Sequence, residues 1–471
     1  MTPQFDNSYA RLPERFFTKQ SATPVPTPSL LKLNHNLAGE MGLDAEWLAS
    51  NEGLAMLAGN DTPAGAEPLA QVYAGHQFGG WSPRLGDGRA LLLGEVTGPD
   101  GQHWDIQLKG SGRTPYSRSG DGRAWLGPVI REYLVSEAMA ALGVPTTRAL
   151  AAVSTGETVL REAPFPGAIL TRVASSHIRV GTFQYFASQK DRDGLETLLA
   201  FSVERHYPEL APNDALGFLS SVVEAQAELV AKWMGLGFIH GVMNTDNCHV
   251  GGLTIDYGPC AFLDTYHPAK VFSSIDQFGR YAYGAQPEIL VWNLAQLASA
   301  LLPLIDEDSE KAVEAAQEVL HSYGPAYTSA WQRNFFPKIG LADGGEEEIA
   351  LVKDLMLRMA DNQADFTLTF HALLDGGARD LFIDPTAFDA WEATWRDHQP
   401  DPALMAKANP GVIPRNHQIE RVIKEAVAGN MDPFHEMAEV LSRPFDPGPE
   451  AAPWQKPPLE EELVQQTFCG T

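Results

Sequence analysis

Near residue 165 the hydrophobic pattern of this 471-residue chain changes period, and that change narrows the folds open to it. Upstream, from about residue 70, apolar runs of four to six residues such as RALLLGEV and WDIQLKG are punctuated by glycine, as in strands joined by tight turns. Downstream, apolar residues recur at helical spacing. The clearest case covers about 216–235, where Leu219, Val222, Val223, Ala227, Val230, Trp233 and Met234 share one face. A single helix interrupts the strand region, predicted over about 128–142, with Pro128 near its first turn and Gly143 placed to end it. Strands followed by helices make an α+β chain. We divide it into an N-terminal extension (1–70) containing the Pro-rich SATPVPTPS, a β-rich lobe (71–165), an α-rich lobe (166–440) and a Pro-rich tail (441–471).

Composition bears on partners. Hydrophobic residues make up 44% of the chain, enough for a large core, so a disordered or fibrous protein is excluded. A net charge of −26 repels nucleic acid and anionic membrane faces, and neither is expected as a partner. The apolar stretch Ile289 to Ile305 contains Asn293, Gln296 and Pro303 and reads as a buried core helix, not a membrane span. Cys248, Cys260 and Cys469 form neither a disulfide framework nor a zinc spacing. With no apolar run behind a basic start, the expected location is the reducing cytoplasm.

An anionic ligand must bind where this charge is locally reversed. Residues 109–131 hold Lys109, Arg113, Arg118, Arg123 and Arg131 against one acid, Asp121, within a run rich in glycine. Upstream, Gly86, Gly88 and Arg89 make a second tight, basic turn. Two such turns flanking a strand that ends in Lys109 suggest one phosphate pocket, because glycine lets backbone N–H groups approach phosphate closely. The plainer alternative is a solvated basic loop. Neither turn satisfies G-x-G-x-x-G, so a dinucleotide fold and a standard kinase glycine loop match poorly. In HGVMNTDNCHVGGLTIDYG, Asp246, Asn247 and Asp256 are hard oxygen donors, separated by the strand-like run LTI, and suit Mg²⁺ or Mn²⁺ bridging phosphates. Ordinary turn chemistry competes for Asp246 and Asn247. Zinc through His240, Cys248 and His249 is disfavoured, since neighbours on an extended segment point to opposite faces.

An inner-strand Lys, a helix carrying Glu, a loop with a metal-binding Asn and then Asp-Tyr-Gly is the order of parts in a protein kinase. The blocks VYAGHQFGGW, RLGDGRA, DIQLKGSGRTPYSRSGDGRA, IREYLVSEAM, HGVMNTDN, TIDYGP and the FCGT tail resemble the selenoprotein O (YdiU) family over nearly the whole chain. That resemblance implies a kinase-like two-lobed fold with an N-terminal extension and additional C-terminal helices. It implies ATP bound in a flipped orientation, and AMP transfer to Ser, Thr or Tyr hydroxyls of proteins with Mg²⁺ or Mn²⁺. UMP transfer from UTP with Mn²⁺ stays open. Carried over by position, the nucleotide contacts fall on Gly86, Gly88, Arg89, Lys109, Asp121, Gly122, Arg172, Arg179 and Asp256, the metal ligands on Asn247 and Asp256, and the proton acceptor on Asp246.

Laying H-R-D-x-x-x-x-N on the chain puts His on His240 and Asn on Asn247, with Val242 at the usual catalytic Asp. A conventional phosphotransferase is therefore disfavoured, and intact Asp246, Asn247 and Asp256 argue against a catalytically silent nucleotide-binding scaffold. For the ion-pair partner of Lys109, family spacing points to Glu132 and periodicity to Glu137; Glu132 is preferred, because a pairing carboxylate need not lie on the core stripe. Some family members tie the tail Cys to one after Asp-Tyr-Gly. Here Cys260 is the available loop cysteine and the expected later position holds Phe272, so a free Cys469 is expected under reducing conditions.

Overall fold

The computed structural model describes residues 2–464 and Thr467. Strands β1 (Phe17–Lys19) and β2 (Ser29–Leu33) come first, then β3 (Leu69–Gln71), a separate hairpin of β4 (Gly75–Gln77) and β5 (Gly80–Ser82), β6 (Ala90–Thr97), β7 (His103–Lys109), β8 (Ala124–Trp125), β9 (Arg148–Leu160) and β10 (Pro164–Ala174). The main sheet has eight strands in the order β1-β3-β6-β7-β10-β9-β2, with β8 beside β10, and neighbouring strands are antiparallel.

Both edges of this sheet come from residues 1–70, expected as an extension: β1 pairs with β3 and β2 with β9. The Pro-rich segment between them leaves the ladders, as a segment poor in N–H donors must, and carries the chain from one edge to the other. The sheet also runs past residue 165, since β10 continues to Ala174.

Alternation along the strands sorts the faces. Ile106 and Leu108 of β7, with Ile169 and Val173 of β10, pack under three short helices, α1 (His35–Glu40), α2 (Ala45–Leu48) and α3 (Asn51–Leu57). Asn34, Asp44 and Ser50 cap these helices by accepting from their first-turn amides. The alternate residues Gln107, Lys109 and Arg172 share the opposite face, and the register sets Arg172 opposite Gln107 and Leu170 opposite Lys109.

Helix α4 (Leu126–Ala141) lies across that second face and ends before Gly143, whose φ of 77° reverses the chain. It is buried almost all round, because Asn416–Val427 and Asp432–Leu441 clamp its outer side, with Tyr133 edge-on to Phe434 at 5.4 Å. Helices α5 (Val180–Ser188), α6 (Arg192–His206) and α7 (Ala215–Leu236) follow; α7 is capped by Asp214 and closed by Gly237 at φ 70°. A two-stranded ribbon of β11 (Phe238–Ile239) and β12 (Ala261–Phe262) then brackets an irregular loop. Leu253–Ile255, expected as strand-like, makes only one bridge, Thr254 to Thr146, because Thr254 bonds through its backbone to Pro145 and Thr147.

Helix α8 (Gln286–Ile305) packs against α5, α7 and the helix Ser309–His321. Its span Tyr283–Ile305 is the one described helix long and apolar enough to cross a membrane, and 39% of it is buried in the fold. Leu290, Leu294, Leu297 and Leu301 form its buried face while Val291 is exposed, so burial is one-sided where the sequence suggested a core helix.

Candidate active site

A cavity of about 710 Å³, within the usual range for small-ligand sites, opens between the sheet and the α5–α8 region. Of the residues singled out in the sequence, Gly86, Gly88, Arg89, Lys109, Asp121, Gly122, Arg172, Arg179, Asp246, Asn247 and Asp256 all line it. Glu132 sits behind the wall. Seven basic side chains face four acidic ones here, a local reversal of the overall charge.

The sheet supplies the first wall. Lys109 Nζ donates to Glu132 Oε2 at 2.5 Å and also to Asp256. Arg172 donates through Nε and Nη2 to Gln107 Oε1 (3.1 and 2.5 Å) and through Nη1 to Glu132 Oε1 (3.3 Å), and lies 3.9 Å from Asp256. Glu137 lies elsewhere, held by Arg148, Asn34 and the amide of Ala149.

Two glycine-bearing loops form the roof. At Gly86 (φ 92°) a Cβ would stand 2.5 Å from the Tyr116 ring, and at Gly122 (φ 71°) 2.1 Å from the Gly112 carbonyl oxygen, so neither position admits a side chain. The loops are tied together: Thr114 Oγ1 donates to Asp87 O at 2.6 Å and Ser117 Oγ to Gly88 O. Of the five cations in the 109–131 window, Lys109, Arg118 and Arg123 line the cavity. Arg131 is drawn away to Asn416 and Glu420, and Arg113 donates to the Arg118 carbonyl, because a helix and an exposed turn carry them off the cavity side. Asp121 is gripped by Nη1 and Nη2 of Arg161, at 2.9 and 3.0 Å, which hold its carboxyl below the usual range.

Arg179 immediately precedes α5 and pairs as a bridge with His249, which brings it alongside the irregular loop. Its guanidinium lies 4.2 Å over the Tyr73 ring and 4.0 Å from Asp87, itself anchored by the amide of Gln71. Tyr73, Asp87, Arg161 and Gln77 are cavity residues that the sequence did not single out. Arg161 carried no local signal, whereas the VYAGHQFGGW block already marked Tyr73 and Gln77 as unusual.

The second wall is the loop between β11 and β12. His240 Nε2 meets Ile255 O at 2.9 Å, and its own amide donates to Gln286 Oε1; Asn293 Nδ2 of α8 donates to Met243 O at 3.0 Å. Asp246 lies in a 3-10 turn, where burial raises its carboxyl to about 6 against the lowering hydrogen bond from Gln77. Asn247 Nδ2 donates to Val242 O at 3.0 Å, which leaves its oxygen to ligate. Asp256 has φ 69°, a left-handed conformation uncommon for a residue with a side chain. Burial opposes its ionisation, but Lys109, Arg172 and Arg89 outweigh it and hold the carboxyl well below the carboxylate range.

Two oxygen donors beside a basic wall fit Mg²⁺ or Mn²⁺, which take their other ligands from phosphate and water. A zinc cage does not fit. Among the described residues no three His, Cys, Asp or Glu cluster for a metal, His249 Nε2 is taken up by Ser176, and burial pushes the Cys248 thiol up to about 12. Cys260 and Phe272 are buried, while Cys469 lies outside the described residues. Thr467 bonds to Pro259 O and Phe272 O, beside the loop that follows Asp256.

Residues 1–442 match the family described as protein adenylyltransferase SelO. The chain is 58% identical over 475 residues to the protein nucleotidyltransferase YdiU of Ruegeria sp., with 99% of each chain covered. It is 55% identical to the protein of that name from Roseobacter denitrificans, over the full length of both. Against that of Nitrobacter hamburgensis it is 54% identical, covering 99% of this chain and 96% of the other. The chain belongs to the SelO/YdiU family, and it is an enzyme of nucleotidyl transfer.

Proposed function

We propose that the protein transfers AMP from ATP to Ser, Thr or Tyr hydroxyls of proteins, on a kinase-like two-lobed frame. The observation that carries this reading is the pairing, in one cavity, of a wall of Lys109, Arg172 and Arg179 with a facing wall of Asp246, Asn247 and Asp256.

Each chain residue has a part. Arg89, Arg172 and Arg179 offer planar donors to phosphate oxygens, and Lys109 a point charge held in place by Glu132. Asn247 and Asp256 would hold the divalent ion, which would supply neutralisation of charge on the departing pyrophosphate. The acceptor oxygen bonds to the α-phosphorus, the bond from that phosphorus to the pyrophosphate oxygen breaks, and the hydroxyl proton passes to Asp246. With Val242 at the position where a kinase carries its base, Asp246 is the carboxylate left for that task.

The test is incubation of the purified protein with a pool of Ser-, Thr- and Tyr-containing peptides and ATP labelled at either the α or the γ phosphate. Label from the α position alone is the expected result. Label from the γ position would make the protein a phosphotransferase, and no label would make it a silent nucleotide binder. A parallel arm with UTP and Mn²⁺ measures nucleotide preference.

A further inference from the structure

The hairpin β4–β5 belongs to no ladder of the main sheet, yet it is held across the 3-10 turn that carries Asp246. Its root is tied to α5, where Ala74 N donates to Gly181 O at 2.9 Å. Along its length His76 N donates to Thr245 Oγ1 (2.7 Å) and Phe78 N to Asn244 Oδ1 (3.0 Å), and Asn244 also accepts from Tyr281 OH (2.7 Å). Phe78 and Gly79, the two turn residues, both have positive φ, 51° and 83°. Glycine takes that conformation readily, but a Phe does so only where its surroundings hold it. Here the bond to Asn244 and the Tyr281 ring at 5.2 Å hold it.

This strained hairpin brings two features to Asp246. Gly75 lies so close that a Cβ there would stand 2.7 Å from Asp246 Oδ1, an oxygen that is buried and finds no hydrogen-bond partner among the described residues. Gln77 Nε2 donates to Asp246 Oδ2 at 3.1 Å and is the one side-chain donor to Asp246 among the described residues. An ionised carboxylate only accepts, so Gln77 must present its amide nitrogen. With Oδ1 sealed against Gly75, Oδ2 is the oxygen through which Asp246 can meet a hydroxyl.

We propose that Gln77 is a positioning residue for nucleotidyl transfer, fixing Asp246 so that Oδ2 receives the proton of the acceptor hydroxyl. This rests on the reading of Asp246 given above. Because Gln77 acts on the acceptor side, it governs turnover and leaves nucleotide binding alone.

The test uses the full-length protein with Gln77→Leu and Gln77→Glu, α-labelled ATP, Mg²⁺ and the same peptide pool, with ATP affinity measured by calorimetry and folding by thermal melting. Gln77→Leu is expected to lower kcat at least about tenfold, a part of the span general-base catalysis covers, with ATP affinity within about twofold and an unchanged melt. Gln77→Glu is expected to lower kcat further, since it sets a second carboxylate against Asp246. Wild-type kcat in Gln77→Leu, or a fall matched by an equal loss of ATP affinity, overturns the role of Gln77 alone. Absence of α label with the wild-type protein overturns that role together with the reading of Asp246.

Discussion

Lys109 and Arg172 reach the cavity from the middle of an eight-stranded sheet, whereas Asp246, Asn247 and Asp256 reach it from a loop whose only regular feature is one 3-10 turn. On the sheet side each cation inherits its position from a ladder: β7 is bonded to β6 on one flank and β10 on the other. On the loop side position is imposed by side chains far away in sequence, Gln286 and Asn293 from α8 and Gln77 from the hairpin. A side chain on the sheet wall can thus be removed while its scaffold stands. The loop wall can be displaced by changes that touch no ligand at all.

The largest effect is expected where the two walls meet. Asp256 is paired with Lys109 and lies near Arg172 while also serving as the proposed metal ligand. Asp256→Ala should cut transfer of α label by roughly 10³-fold, the equivalent of the several kcal/mol that metal-assisted charge stabilisation supplies. The fold should survive, because Lys109 keeps Glu132. Full activity at saturating Mg²⁺ in a folded variant would sink the assignment.

Among the basic side chains, Lys109→Ala at the end of β7 and Arg179→Ala just before α5 should each lower kcat/KM for ATP by about 10- to 100-fold, the loss of a charge-assisted contact worth about 1.5–3 kcal/mol. Lys109→Ala also leaves Glu132 and Asp256 with Arg172 as their one remaining shared cation among the described residues, so of the two it should lose more melting temperature. Wild-type ATP affinity and turnover in both variants would move the pocket elsewhere.

Legibility in the sequence divides along the same line. Helices α4 and α7 announce themselves through period and glycine stops, and observed bounds of Leu126–Ala141 and Ala215–Leu236 fall within about two residues of those expected. Lys109 at the end of WDIQLKG was readable because a strand end is a local feature. Arg172 and Arg179 were not: the first depends on the pairing of β10 with β7, and the second on a bridge to His249 seventy residues later. Only the family resemblance singled them out. The charge window overcounted for a related reason, since local charge does not show that α4 turns Arg131 towards Asn416. The role of residues 1–70 as both sheet edges was equally hidden, because edge pairing leaves no periodic mark on strands of three to five residues.

A smaller effect should separate the walls from a distance. Asn293→Leu keeps the volume in α8 but removes the donor to Met243 O, leaving a buried carbonyl unpaired at a cost of about 1–3 kcal/mol. We expect a lower melting temperature and a several-fold fall in kcat, with ATP affinity retained. Unchanged kcat in that variant would mean the loop is held well enough without α8, and the contrast between the walls would lose its basis.

The smallest effect on activity, and the clearest on stability, concerns the layer beneath the loop wall. Lys338 is buried with its Nζ 4.6 Å from the Phe370 ring and 5.7 Å from that of Phe366, and Phe366 N bonds to Asp264 O just beyond β12. Burial pulls its ammonium down from the ordinary 10.5 to about 7. Between those values the unfolded chain carries a proton that the folded chain lacks, so this group makes folding stability rise with pH across the window, by at most about 1.4 kcal/mol per pH unit. Below about pH 7 both states are protonated and the penalty of the buried charge is felt in full. Lys338→Met should remove that slope. Denaturant unfolding of both proteins from pH 7 to 9.5 should show the variant's advantage shrinking steadily as pH rises, while its nucleotidyl transfer at pH 8 stays within about twofold of wild type. A constant difference across that range would show that Lys338 keeps its proton in the folded protein.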